Sequence, residues 1–343
     1  MMKKYIKKIL KVTTNNTDVV SEVPSWKDLL LFSDSPFIKS EAERAVMTIQ
    51  CHDTDDIEKV KDAGKLVHVG KDKVQIMHNG LKVLAGGYYG EWMVDIIKKL
   101  RGHHEPQEEF AFHEVLKQID STKPSYMIEL GSFWSYYSLW FAKQNKRNNN
   151  ICCEPDPNNI KIGKRNVELN KLKNFTFVQS AAGSQDGQPI SFEMDSDRSK
   201  TIEVPVRSVD SLMEEYKWPK LDLLHMDVQG YETDSLQGAV QTIKEGKLRF
   251  LFVSTHHYVF SGDPLTHNKC IEFIKSNGGH IIAQHSVLES FSGDGLIVAS
   301  FDKEDRDLEI HMSINSSQDS LFRPYEVDLS RMIEAYEKLR TKS

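Results

Sequence analysis

The feature that most constrains this chain is an alternation over residues 104–300 of short apolar runs and amphipathic stretches. The runs are Tyr126–Leu130, Asn150–Cys153, Phe175–Gln179, Leu221–Met226, Phe250–Ser254, His280–Ala283 and Leu296–Ser300. Amphipathic stretches such as Asn158–Asn170 and Thr233–Glu245 lie between the first five. Apolar strands linked by helices predict a mostly parallel α/β sheet covered on both faces. The last two runs are joined by a short polar loop containing Ser292, Gly293 and Asp294, which predicts an antiparallel pair at one edge.

Two further regions flank this one. Residues 1–103 contain two alternating strands within residues 73–87, around Asn79-Gly80, a pair suited to a type I′ hairpin turn. The stretch 91–100 then predicts an amphipathic helix, so the region is expected to be a small α+β addition. Residues 301–343 form a charged extension with one alternating run, Leu308, Ile310, Met312 and Ile314, and one helical run from Leu329 to Leu339. The sequence leaves open whether this extension packs on the core or on a partner.

Composition narrows the function classes. The formal net charge is −6, which argues against a broad nucleic-acid footprint. No stretch has the apolar length that spans a bilayer. Residues 1–12 alternate lysines with apolar pairs and lack the continuous core of a secretory signal. They are read as a solvated helix, with weak membrane contact left open. Cys51, Cys152, Cys153 and Cys270 show no zinc-binding spacing and suit free thiols in a reducing, cytoplasmic compartment.

In doubly wound sheets, ligands bind at the carboxyl ends of strands near the switch in strand order. The first such end reads Glu129-Leu130-Gly131-Ser132, where Gly131 permits close backbone approach and Glu129 can accept hydrogen bonds from an ammonium. Glu154 ends the next strand, 23 positions after Gly131, the spacing at which an acidic side chain holds ribose hydroxyls. Asp156-Pro157 and Asn158 then turn the chain into a capped helix. Near the third strand end, Ser180 is placed to flank a flat ring. The fourth strand ends in Asp227, and an acid at the mouth of a central strand is costly unless it has a task. The fifth is followed by His256 and His257, which titrate near neutral pH and can take a proton from a hydroxyl. Each motif has a plainer reading as a turn, a cap or a polar loop. No spacing supports a metal site.

In this order the residues resemble the FkbM family of S-adenosylmethionine-dependent methyltransferases. The resemblance runs from residues 104–110 to about residue 300. It includes the Glu129-Leu130-Gly131 turn, Glu154-Pro155-Asp156-Pro157, Asn166 and Asn170, Val209-Asp210-Ser211-Leu212, Asp227 with Gly230 and Glu232, and Gly238-Ala239. It implies a Rossmann-like, seven-stranded class I sheet spanning 104–300, S-adenosylmethionine as cofactor, and methyl transfer to oxygen on a sugar, glycan or other small molecule. The sequence departs from the family pattern where Ser132-Phe133-Trp134 follow Gly131, where Ser135 holds a later glycine position, and where Ser254-Thr255 precede the histidines. The site expected from this is Asp227, His256 and His257 for transfer, with Glu129, Gly131, Ser132, Glu154, Ser180 and Asp227 around the cofactor. Trp134 is expected to face the acceptor. Two rivals stand beside it: a non-catalytic binding protein on the same fold, and a nicotinamide-dependent oxidoreductase, which would need a glycine-rich pyrophosphate turn.

Overall fold

The computed structural model describes residues 41–316 and Leu321. The chain first forms α1 (Glu41–Thr48), then β1 (Leu66–Val69), β2 (Asp72–Ile76), β3 (Lys82–Leu84), α2 (Glu91–Lys99) and α3 (Pro106–Gln118). The alternation follows: β4 (Tyr126–Leu130), α4 (Tyr136–Gln144), β5 (Asn149–Glu154), α5 (Pro157–Leu169) and β6 (Phe175–Gln179). Next come β7 (Ala181–Ala182), β8 (Gly187–Met194), β9 (Asp197–Arg207), α6 (Val209–Glu215), β10 (Leu221–Asp227), α7 (Glu232–Gln237) and α8 (Val240–Lys244). The rest are β11 (Leu248–Thr255), α9 (Tyr258–Ser261), α10 (Thr266–Ser276), β12 (His280–His285) and β13 (Gly295–Ser300). The basic stretch 1–12 and the helical run 329–339 lie outside the described residues.

All seven expected runs form one sheet, in the order β12-β13-β11-β10-β4-β5-β6. The neighbours from β11 to β6 pair in parallel, while β13 runs antiparallel to both β11 and β12. The reversed strand therefore lies one place in from the edge. Strand order reverses between β4 and β10, so the carboxyl ends of these two strands face the crevice where a ligand is expected. β10 is buried along nearly its whole length, as a strand covered on both faces must be.

Three connections differ from the sequence reading. The link between β6 and β10 carries a hairpin, β8–β9, paired in a separate sheet with β7. Its alternation (Ile190, Phe192, Met194, then Ile202, Val204, Val206) was present in the sequence. The stretch 233–245 divides into α7 and α8 at Gly238-Ala239. There the Asp210 carboxylate takes over the new helix start, accepting from the backbone of Gln241 (2.9 Å) and Thr242 (2.7 Å). A Cβ on Gly238 would collide with the carbonyl of Gly183. The hairpin at Asn79-Gly80 forms, but Gly80 alone is left-handed (φ 83°), so the turn is not type I′. The Asn79 side chain instead accepts from the Leu81 amide at 3.1 Å.

The N-terminal elements share the core of the large sheet. Met77, Leu81, Val83, Met93, Ile96 and Ile97 are buried in one cluster with Phe112, Trp134, Tyr136 and Phe252. Six such side chains contribute roughly 10–20 kcal/mol before ordering entropy is subtracted. Asn166 and Asn170 add polar staples: their side-chain oxygens accept from Leu84 and Lys82 of β3, each at 2.8 Å. The alternating run after residue 301 packs back on the core through Leu308, Ile310 and Met312, while Ile314 is exposed.

Candidate active site

The first turn is shaped by close approach. Gly131 is left-handed (φ 74°), and a Cβ there would collide with the Asp227 carbonyl oxygen, so glycine is required on two counts. The amides of Gly131 and Ser132 both donate to the Cys153 carbonyl at 2.9 Å, tying the turn to the end of β5. Phe133 (φ 40°) and Ser135 (φ 60°) are also left-handed, at a cost of about 1 kcal/mol or more each. The side-chain oxygens of Ser132 and Ser135 are buried without hydrogen-bond partners.

The acidic residues stand where the strand ends place them. Glu154 is 3% exposed and accepts from the amides of Phe133 (2.9 Å) and Asp156 (3.0 Å) and from the Asn159 side chain (3.3 Å). Burial outweighs these bonds and pushes its carboxyl up to about 8. Glu129, also buried, accepts from the Ser138 amide at 3.2 Å and is pushed by burial to about 7. Ser180, the expected ring neighbour, is buried with an unpartnered hydroxyl. The β8–β9 turn leans on this end of the sheet, its Ser196 amide donating to Asp156 at 2.9 Å. Carboxyls whose charge is penalised by burial, beside hydroxyls without partners, suit a ligand that brings its own donors and positive charge.

Beyond the cofactor side, β10 and β11 bring Asp227 and His256 together. His256 Nε2 lies 3.2 Å from Asp227 Oδ1, and its Nδ1 lies 2.5 Å from Glu232 Oε1. The same Glu232 oxygen accepts from the Gly230 amide at 2.9 Å, which explains the Asp-x-x-Gly-x-Glu spacing: the left-handed Gly230 (φ 106°) bends the chain so that Glu232 reaches back. Asp294, on the loop between β12 and β13, approaches His256 Nε2 at 3.7 Å. Burial works against a charged ring here, but Asp294, Asp227 and Glu232 together raise His256 well above its ordinary value. It therefore rests as an imidazolium at neutral pH. The Asp227 side chain keeps 36% of its surface exposed, whereas His256 keeps 5%.

His257 occupies a different environment. Its Nδ1 caps α9 by accepting from the Val259 amide at 3.4 Å, and its ring lies against Tyr258 at 4.1 Å. Burial pushes it down to about 3. Trp134 does not face open space. It is 4% exposed and stacked between Tyr88 (4.6 Å) and Tyr136 (5.0 Å). Tyr88 and Tyr89 come from the N-terminal region, and the Tyr89 hydroxyl accepts from Gln229 Nε2 at 3.1 Å. No local pattern marked these tyrosines or Asp294, because their role depends on where distant loops land.

A second histidine–carboxylate cluster lies deeper. Glu109 accepts from His103 Nδ1 (2.5 Å), His104 Nδ1 (2.6 Å), the His104 amide (2.7 Å) and the Tyr136 hydroxyl (3.1 Å). His78, His103 and Glu109 have the residue types of a metal site. However, the two rings stack face to face at 4.1 Å and 14°, so their in-plane lone pairs cannot converge on one point without turning a ring. Glu109 is already saturated with donors. A third pair, Glu108 with His225 Nε2 (2.6 Å) and Ser254 Oγ (2.9 Å), lies beneath the sheet end.

A depression lined by Lys220, Asp222, Lys247 and Arg249 lies at the amino ends of β10 and β11, the wrong end for a doubly wound site. Among the described residues, no helix is long and apolar enough to cross a membrane.

Residues 114–281 match the family model of the methyltransferase FkbM domain. No curated relative matches the sequence. Similar solved structures include magnesium protoporphyrin IX methyltransferase from Synechocystis PCC 6803 with bound SAM, at 12% identity and a TM-score of 0.41, covering 62% of this chain and 88% of that one. Another is the METTL16 MTase domain, at 17% identity and 0.40, covering 67% and 87%. A third is a putative O-methyltransferase from Klebsiella pneumoniae, at 14% and 0.37, covering 55% and 79%.

Proposed function

We propose that this chain, which carries an FkbM methyltransferase domain over residues 114–281, transfers a methyl group from S-adenosylmethionine to a hydroxyl held beside Asp227 and His256. The observation that carries this reading is the exposed face of Asp227, fixed from behind by an imidazolium that Glu232 pins in place.

The residues fit the cofactor. Glu154 and the first turn suit a ribose with two hydroxyls, Glu129 and the unpartnered Ser132 suit an amino-acid moiety, and Ser180 flanks a ring. When bound, the cofactor supplies an electrophilic methyl on a sulfonium. The protein's work is to align the acceptor and exclude water. Asp227 accepts the hydrogen bond of the acceptor hydroxyl and takes its proton as the oxygen gains the methyl. His256 is already protonated, so it acts by holding and polarising Asp227 rather than as the first base. His257, neutral and committed to a helix cap, has no part in the transfer. The acceptor is a small molecule or a glycan. Four buried, unbridged cysteines support a reducing, cytoplasmic setting.

The test uses transfer of labelled methyl from S-adenosylmethionine to panels of hydroxyl, amine and carboxylate acceptors. Product is expected from the hydroxyl panel. Asp227→Ala and His256→Ala are expected to lose about 10²-fold or more, and His257→Ala to stay within about threefold. Intact turnover in both of the first two variants would sink the assignment. A second reading, a binding protein without turnover, is favoured only by the strained turn at Phe133 and Ser135. Calorimetry showing no uptake of S-adenosylhomocysteine by the folded protein would favour it.

A further inference from the structure

We propose that Arg44, seventy residues ahead of the matched domain, is a positioning residue of the transfer site: it holds Asp294 against His256, so the site is complete only with helix α1 docked.

The inference rests on the reading of Asp227 and His256 as the transfer site, and on a chain of contacts running into it. Arg44 Nη2 lies 3.4 Å from Asp294 Oδ2, while Asp294 Oδ1 lies 3.7 Å from His256 Nε2. One carboxylate thus bridges the two cations. Arg44 Nε also donates to the Ser292 carbonyl, fixing the loop backbone as well as its side chain. One turn further along α1, the Thr48 hydroxyl donates to the Phe291 carbonyl at 3.0 Å. The other side of the loop is tied to α3, where Gln107 Oε1 accepts from the Phe291 amide at 2.8 Å. The guanidinium lies over the Trp92 ring at 5.7 Å. An arginine suits this place because its planar fork can satisfy a backbone carbonyl and a carboxylate together while stacking on an aromatic face.

The charges around His256 are Asp227 from the end of β10, Glu232 from the start of α7 and Asp294 from the β12–β13 loop. Arg44 itself meets Asp294 and Glu105. Two effects of removing Arg44 therefore have opposite signs. If Arg44 mattered only as a charge, its loss would leave Asp294 less neutralised and His256 protonated to still higher pH. If it positions Asp294, its loss lets the loop withdraw, and His256 gives up its proton at lower pH. The second outcome is expected.

The experiment follows the His256 ring by NMR titration of histidine-labelled full-length protein, in the wild type, Arg44→Ala, Arg44→Lys and Asp294→Asn. Asp294→Asn should lower the pH at which His256 deprotonates by on the order of one unit or more. Arg44→Ala should move it the same way by less, and Arg44→Lys, which keeps the charge but not the fork, should restore only part of the difference. S-adenosylhomocysteine affinity, measured by calorimetry on the same samples, should change by no more than about twofold in all three variants. A rise in Arg44→Ala, or no movement in either Arg44→Ala or Asp294→Asn, would overturn the proposal. Wild-type protein that fails to bind S-adenosylhomocysteine would instead break the underlying functional reading.

Discussion

Two buried clusters in this molecule use the same residue types to opposite ends. Around Glu109, His103, His104 and Tyr136 fill the carboxylate with donors, and both His103 and Glu109 are fully shielded from solvent. Around His256, three carboxylates converge on one ring, and one of them, Asp227, keeps 36% of its side-chain surface open. The first cluster joins the N-terminal elements to α3 and α4. The second ends at a sheet mouth. What separates a latch from a site here is not the presence of histidine and glutamate but whether an acceptor oxygen is left with room beside it.

The largest expected effect comes from breaking the latch. Glu109→Ala leaves a buried imidazolium without its partner and should cost about 3–5 kcal/mol of stability, read as a lowered midpoint in chemical denaturation. Burial disfavours the charged His104 ring, but Glu109 and Glu105 raise it to about 10. Its folded value therefore lies above its ordinary 6.5, so its contribution is complete below that pH and fades as pH rises through about 10. Burial also opposes the charge on Glu109, yet His103 and His104 hold it well below the usual carboxylate range. That contribution is present above the ordinary carboxylate range and is lost in strong acid. Wild-type stability should fall between about pH 7 and 10, and Glu109→Ala should flatten that slope. An equal slope in both proteins would mean the latch is not what titrates.

A middle effect belongs to the cofactor side. Burial raises Glu154 to about 8, and hydroxyl donors from a ribose would favour its charged form. S-adenosylhomocysteine should therefore bind more tightly as pH rises from 6 toward about 8, releasing a proton. Calorimetry in buffers of differing ionisation heat reads this directly. Glu154→Gln should weaken binding by about 1–3 kcal/mol and remove the pH dependence. Proton release that persists in Glu154→Gln would move the effect to Glu129.

The smallest effect concerns strain. Ser135 is left-handed at φ 60°, so Ser135→Gly should relieve about 1 kcal/mol, offset in part by glycine's greater freedom when unfolded. A net gain of a few tenths of a kcal/mol in thermal unfolding is expected, with S-adenosylhomocysteine affinity equal or better. A loss in both would show that the serine hydroxyl serves the site.

The central strands were legible because each is a short apolar run bounded by polar turns, and burial on both sheet faces demands that pattern, while the edge strands β6 and β12 are only partly covered. Gly131, Glu154 and Asp227 were legible as candidates because strand ends at a switch point are where backbone geometry exposes chemistry. The β8–β9 hairpin is also written as alternation, but it pairs outside the main sheet, so strand–helix periodicity alone does not place it. Asp294 looks in sequence like any loop acid, and Glu232 like a helix-start acid. Their meaning comes from the groups they meet across 24 or more residues of chain.

The sequence by itself determined the doubly wound sheet, the strand ends that carry acids, and the glycine without which the first turn could not reach Asp227. Periodicity and close approach are local requirements, written in consecutive residues. Only the tertiary structure decided that His256 rather than His257 lies beside Asp227, that Trp134 packs between two tyrosines, and that an arginine from α1 reaches the Asp294 loop. Charge state and access depend on which groups crowd one point in space, and that is set by the packing of distant segments.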